Sequence, residues 1–389
     1  DQPDDQARSS GMAQDRFKRF VQTVREGPSK VSAVFMVLAI LVFLFGSRHL
    51  ITRKVPVIGD LVPFDLTIQE CFSLLFSNWW ITGLGHEATN PTALGITGLL
   101  GVFTFGSMGF LRLVLTLGML PIGVAGVWYF LKPFNSPWIK VAGVSIYFAS
   151  PVPYNALRSG SWSGLILYGV LPWLLSYLAQ AGNLSPFGSI GGARGRSVLP
   201  SNWLREALGI GILIGFMIAF VPFAGVEILA VVVAIFVGSL LAGWPSGFFR
   251  LVGVFCFGGI IAIALNLAWL MDSVVFDPSW EWFVGTRPLS DISGNLSDFL
   301  RLQAGNDGNS LFGWGFLAMA VVPLLLAKGE RWAWAIRSWV LYLGGVSVLW
   351  ADKNEFLDIP LPRPEVLLAP ASLGVAVSAA MGVGALQRD

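Results

Sequence analysis

A carboxylate held beside cations at the end of an apolar helix can take a proton from a hydroxyl while the cations steady a phosphate. The stretch after the first apolar run carries those parts. Arg48-His49 and Arg53-Lys54 come first, then Asp60 and Asp65, then Glu70, Trp79-Trp80 and His86-Glu87. Arg48, Arg53 and Lys54 suit an anionic lipid headgroup, since interfacial cations neutralise a phosphate and stabilise it as a leaving group. The competing reading is that these side chains snorkel from the helix end. Asp65 or Asp60 would act as general base toward an acceptor hydroxyl. For Asp65 the alternative is a helix N-cap before a predicted helix over 66–80.

A second polar turn spans residues 150–162, with Tyr154, Asn155, Arg158 and Trp162 among small residues and two prolines. That composition fits a rigid turn entering a cavity, with Arg158 either a phosphate clamp or an interface anchor. Glu227 opens an apolar run just after Val221-Pro222-Phe223. An ionisable group inside a membrane segment is a functional candidate by default, although one so near a helix end can simply face headgroups. We take Asn155, Tyr154, Trp162, Trp79, Trp80 and Glu227 as candidate substrate-lining residues. Asn266 and Trp269 suit either that role or helix–helix contact. The stretch 358–365 is extended by its prolines and reads as structural. Two histidines and two distant cysteines argue against a metal cluster or a disulfide framework. The outer-loop acids are compatible with a hard divalent cation, but their spacing argues for none, so no metal and no cofactor is expected. The chain has neither a P-loop nor a dinucleotide fingerprint.

The elements that must position these groups follow from composition. Of 389 residues 54% are hydrophobic and only 12% charged, about half the charge of a soluble domain. The reading is an all-α, polytopic integral membrane protein. A span needs about 20 largely apolar residues. Ten segments qualify: 31–47, 113–131, 139–152, 163–181, 205–222, 224–242, 249–270, 311–327, 333–350 and 365–386. The Gly- and Thr-rich 93–110 is assigned to the outer leaflet surface, because counting it as a span would put Lys132, Lys140, Arg194 and Arg196 outside, against the positive-inside tendency. With the N-terminus inside, two large outer loops result, 48–112 and 271–310, the second carrying Trp280, Trp282 and Phe283. Residues 1–30 read as a cytoplasmic polar linker, 31–386 as the membrane domain and 387–389 as a truncated end of a longer protein. A net charge of +2 invites no nucleic acid.

Three stretches carry a family resemblance. The first runs from Leu66-Thr67-Ile68-Gln69-Glu70 through Trp79-Trp80-Ile81-Thr82-Gly83-Leu84-Gly85 to Asn90-Pro91-Thr92-Ala93-Leu94-Gly95. The second is Ala149-Ser150-Pro151-Val152-Pro153-Tyr154-Asn155-Ala156-Leu157 with Ser161-Trp162 and Leu171-Pro172-Trp173-Leu174-Leu175. The third is Leu361-Pro362-Arg363-Pro364-Glu365-Val366-Leu367-Leu368-Ala369-Pro370. Together they resemble the membrane region of large actinobacterial envelope glycosyltransferases, and residues 31–181 resemble arabinofuranosyltransferases of the GT-C fold. The resemblance implies a polyprenyl-phosphate sugar as donor and a catalytic acid in the outer loop after the first span. By position that role carries to Asp60 and Asp65. The adjacent pair of acids found in some members is missing here.

The expected activity is therefore an inverting GT-C-type transfer to a cell-envelope glycan, on the outer face of the cytoplasmic membrane. The donor phosphate would lie near Arg53, Lys54, Arg158 and Arg48, with its polyprenyl tail between the helices among membrane lipid. The alternative is a non-catalytic membrane module that anchors a fused cytoplasmic nucleotide-sugar transferase domain and guides or translocates its lipid-linked product. A secondary transporter ranks last, because no internal repeat is visible.

Overall fold

The computed structural model describes residues 28–53, 55–77, 79–80, 85–87, 89–187, 203–243, 247–272, 283–285, 294–304, 312–357 and 359–387. The described residues form an all-helical bundle, with one two-residue antiparallel ladder pairing Trp79–Trp80 with His86–Glu87. In chain order the helices are α1 (Pro28–Arg53), α2 (Ile68–Leu75), α3 (Thr92–Phe103), α4 (Met108–Leu117), α5 (Met119–Phe130) and α6 (Pro137–Ala149). Then come α7 (Pro151–Ser159), α8 (Trp162–Ala181), α9 (Trp203–Phe220), α10 (Ala224–Ala242), α11 (Phe248–Leu265) and α12 (Leu267–Met271). The chain closes with α13 (Leu296–Leu300), α14 (Phe312–Leu326), α15 (Glu330–Lys353) and α16 (Pro364–Leu386).

Each of the ten predicted apolar segments overlaps a helix. Among the described residues five helices, α8, α9, α10, α11 and α16, are long and apolar enough to cross a membrane, or six if the bent pair α3–α4 is one span. That pair turns by 109° between Phe103 and Met108, so the Gly/Thr-rich 93–110 is a bent helical segment. Two other predicted segments differ in detail. The helix expected over 66–80 is shorter, Ile68–Leu75, and is capped by Thr67: the Thr67 hydroxyl accepts from the Glu70 N–H while the Glu70 carboxylate accepts from the Thr67 N–H at 2.7 Å. Asp65 therefore does not cap it. The segment 139–152 breaks at Ser150-Pro151, because proline disfavours helical backbone in the residue before it, and Ser150 is extended in ψ.

Helix α16 is the axis of the bundle. Every residue from Pro364 to Gly382 is buried, against α15, α14, α6 and α8. A helix that is apolar on all sides belongs inside its protein, and the Ala, Gly and Ser of this one let neighbouring backbones come close. By contrast α11 turns Phe249, Phe257, Ile260 and Ile263 outward, the pattern of a lipid-facing helix.

Two prolines explain a buried tyrosine pair. Tyr147 and Tyr168 lie four residues before Pro151 and Pro172, which have no N–H to offer their carbonyls. Each tyrosine hydroxyl instead donates to the other's carbonyl oxygen, at 2.6 Å from Tyr147 to Tyr168 and 2.8 Å in return. Their rings stack at 4.1 Å. This joins α6 to α8 and fixes the start of the 150–161 turn.

Candidate functional site

Three chain segments distant in sequence meet at one end of the bundle. The first is the loop after α1. There Arg112 of α4 donates from Nη1 to the Val55 carbonyl at 2.9 Å and from Nη2 to those of Pro56 and Leu61, at 2.9 and 2.7 Å. One guanidinium thus gathers the loop carbonyls, and Asp60 is held at the loop's tip.

The second segment is the turn from α7 to α8. Gly59 and Gly160 both have positive φ, +56° and +70°, and a Cβ at either would run into backbone oxygen of the other strand of chain. The Asp60 N–H donates to the Gly160 carbonyl at 2.8 Å. The two turns therefore touch backbone to backbone, which only glycine permits at this spacing.

The third segment is the head of α16. Arg363 is buried, and its Nη1 donates to the Ser159 carbonyl at 2.9 Å while Nη2 donates to Asp60 Oδ1 at 3.2 Å. Two residues on, Glu365 is buried to 3% exposure. Its Oε1 accepts from the Ser159 hydroxyl at 2.7 Å. Asp60, Arg363, Ser159 and Glu365 so form one polar cluster joining all three segments. Sequence reading assigned 358–365 to structure alone and passed over Ser159 and Arg112. The overlooked signal was a pair of opposite charges, Arg363 and Glu365, at the head of a strongly apolar run, where intramembrane ionisable groups deserve a functional reading.

An aromatic floor adjoins the cluster. Phe64 meets Trp162 edge-on at 5.6 Å, and Trp162 meets Phe220 at 5.3 Å. The indole of Trp162 is fixed by donating to the Leu115 carbonyl at 3.0 Å. Beyond Phe220, Phe223 packs on Phe283 at 5.8 Å. In the first turn of α10, Glu227 is 6% exposed and its carboxyl group has no hydrogen-bond or ion-pair partner among the described residues.

The other candidates distribute unevenly. Asp65 is exposed, outside the polar cluster, and close enough to Arg112 for its charge to be felt there. Arg158 is exposed on α7 beside Ser159, and Asn155 is half-buried on the same helix. Tyr154 donates its hydroxyl to the Phe148 carbonyl at 2.9 Å. Arg48 folds back on its own helix, donating to the Phe45 carbonyl at 3.1 Å with its guanidinium over that ring. This is the behaviour of a helix-end cation. Trp79 is exposed in the short ladder, which Asn90 ties to α2 by donating to the Leu74, Ser77 and Trp79 carbonyls. Lys54, the side chains of Arg53, Trp80 and His86, and residues Trp280 and Trp282 lie outside the described residues. Asn266 donates to the Gly215 carbonyl at 3.0 Å and accepts from the Trp269 indole, locking α11 and α12 to α9.

Outside the apolar helices, the Thr67 backbone N–H and hydroxyl hold the Glu70 carboxyl below its ordinary range. Burial pushes the Cys71 thiol up. Among the described residues no three His, Cys, Asp or Glu side chains come together as metal ligands. No protein-family profile matches the chain, and no curated sequence is significantly similar to it.

Proposed function

We propose that this chain is a polytopic membrane glycosyltransferase of GT-C type. It would have ten spans and a cytoplasmic N-terminus, and would move a sugar from a polyprenyl-phosphate donor to an envelope glycan at the outer face of the cytoplasmic membrane. The single observation that carries this reading is the meeting of the Asp60 loop, the Ser159-Gly160 turn and the Arg363–Glu365 helix head at one end of the bundle. Arg363 and Glu365 belong to the third stretch of the family resemblance, Ser159-Gly160 falls within the second between Leu157 and Ser161, and Asp60 lies in the outer loop to which the resemblance assigns the catalytic acid.

In this reading Asp65 is the base, because Asp60 Oδ1 is engaged by Arg363 whereas Asp65 stands exposed beside the same loop. The acceptor hydroxyl oxygen attacks the anomeric carbon as its proton passes to the Asp65 carboxylate. The bond from that carbon to the phosphate oxygen breaks, and its electron pair leaves with the phosphate. Arg158, with Arg53 and Lys54, stabilises the departing charge. The sugar passes through an oxocarbenium-like transition state, and one displacement inverts the anomeric centre. Arg363, Ser159 and Glu365 are positioning residues. Trp162 and Phe64 give the sugar or the first prenyl unit an apolar wall.

The Asp60–Arg363 bond also favours a second reading, since an acid bound to a buried arginine is a structural acid. A non-catalytic module anchoring a fused cytoplasmic transferase would need nothing more. Reconstituted protein supplied with labelled polyprenyl-phosphate sugars and glycan acceptors separates the two. Transfer by wild type that Asp65→Asn abolishes supports the enzyme. No transfer by folded wild type with any donor supports the module.

A further inference from the structure

Arg337 has no place in the chemistry above, and it lies toward the other end of the bundle. It sits seven residues into α15 and is 8% exposed. Of its five N–H donors only the one on Nε is engaged among the described residues, donating to Ser239 Oγ of α10 at 2.8 Å. The guanidinium lies over the Trp334 ring, 5.0 Å from its centroid. Gly238 makes the room: a Cβ there would stand 2.6 Å from Arg337 Cα.

Among the described residues no carboxylate pairs with Arg337. Its two terminal nitrogens have no acceptor among the described residues, yet they are not sealed from the surroundings. Burying a charge with most of its donors unmade is costly, so the acceptor is expected from outside the chain.

The fork of terminal donors fits two oxygens of a phosphate. Seven residues of helix place Arg337 about 10 Å from the start of α15, within snorkelling reach of a headgroup layer. Next to it, α10 turns Val233, Val237, Leu240 and Leu241 outward, an apolar face on which acyl chains can lie. We infer that Arg337, backed by Ser239 and Trp334, binds the phosphate of an anionic phospholipid at the α10–α15 seam, on the bundle end opposite Asp60. Basic positions between membrane helices are known to recognise such headgroups.

The test is thermal unfolding of the whole chain in nanodiscs of phosphatidylcholine alone, with added phosphatidylglycerol, or with inorganic phosphate in the buffer. Arg337→Leu and Arg205→Gln, an exposed cation of α9, run beside wild type. Phosphatidylglycerol should raise the Tm of wild type and Arg205→Gln by several degrees, and that shift should vanish in Arg337→Leu. An equal shift in Arg337→Leu, or none in wild type, overturns the site. A shift by inorganic phosphate as large as that by the lipid overturns the lipid as its occupant. Should Arg337→Leu not fold, Arg337→Lys decides, because it keeps the charge and loses the fork. A reduced shift supports the site, and an undiminished one overturns it.

Discussion

Asp60 and Arg363 are 303 positions apart and meet at 3.2 Å, the arginine almost wholly buried and the carboxylate about a quarter exposed. The bond ties the loop after α1 to the head of the central helix, and Arg363 carries the α7–α8 turn with it through the Ser159 carbonyl. Arg363→Gln should lower stability by about 1–3 kcal/mol, the cost of leaving partly buried acceptors unmade. Asp60→Asn should cost less, because part of that carboxylate already faces solvent. A double-mutant cycle read by thermal unfolding in detergent should give a clear coupling between the two. Additive losses would mean that the pair is incidental.

Gly160→Ala tests the backbone contact between the same segments. The position has φ +70°, and a Cβ would strike the Ile58 carbonyl. A loss of about 1–3 kcal/mol is expected for strain of this kind. Gly46→Ala is the control, since nothing lies within 4 Å of its Cβ position. It should be neutral or slightly stabilising, because alanine suits a helix interior better than glycine. Equal effects in the two variants would refute the close-approach argument.

The tyrosine pair makes an asymmetric prediction. The Tyr147 carbonyl has a second donor, the Ser150 N–H at 3.2 Å, so losing the Tyr168 hydroxyl leaves it partly satisfied. Tyr147→Phe should therefore destabilise more than Tyr168→Phe, with the larger loss about 1–3 kcal/mol for a buried carbonyl left unmade. The order of the two Tm values is the readout, and the reverse order would be inconsistent with it.

Glu70 carries a pH dependence. Its carboxyl is held below its ordinary range by the Thr67 backbone N–H and then by the Thr67 hydroxyl. A group depressed in the folded state stabilises above its unfolded pKa, and that contribution is lost as the pH falls through its folded pKa. Fraying of α2 should thus increase under acid, measured as faster amide exchange at Thr67 after allowing for intrinsic rates. Glu70→Gln should remove the acid dependence, and an unchanged acid response in that variant would assign it to another group.

The helices were most legible where apolar runs are long and uninterrupted. The segment 224–242 coincides with α10, and 163–181 and 365–386 each differ from their helices by one residue at the start. Apolarity over about 20 residues is a local property, so it survives any arrangement of neighbours. Shorter elements were less legible. The predicted helix over 66–80 gave way to Ile68–Leu75 because the Thr67–Glu70 capping box sets its start, and Pro151 divided 139–152 because the residue before a proline avoids helical backbone.

From the sequence alone came the helical membrane-type character of the chain and a short list of acids and cations. The choice among them was not there to be read. Pro-Arg-Pro-Glu at 362–365 looks like a proline-stiffened linker until α16 takes the centre of the bundle. Burial of that helix then drives Arg363 and Glu365 to find partners, and the partners lie at Asp60 and Ser159. Arg48 met the opposite fate, turning back on Phe45 at a helix end open to its surroundings. Charge and apolarity are written residue by residue, but which charges are buried together depends on how the helices pack, and packing is a property of the whole chain.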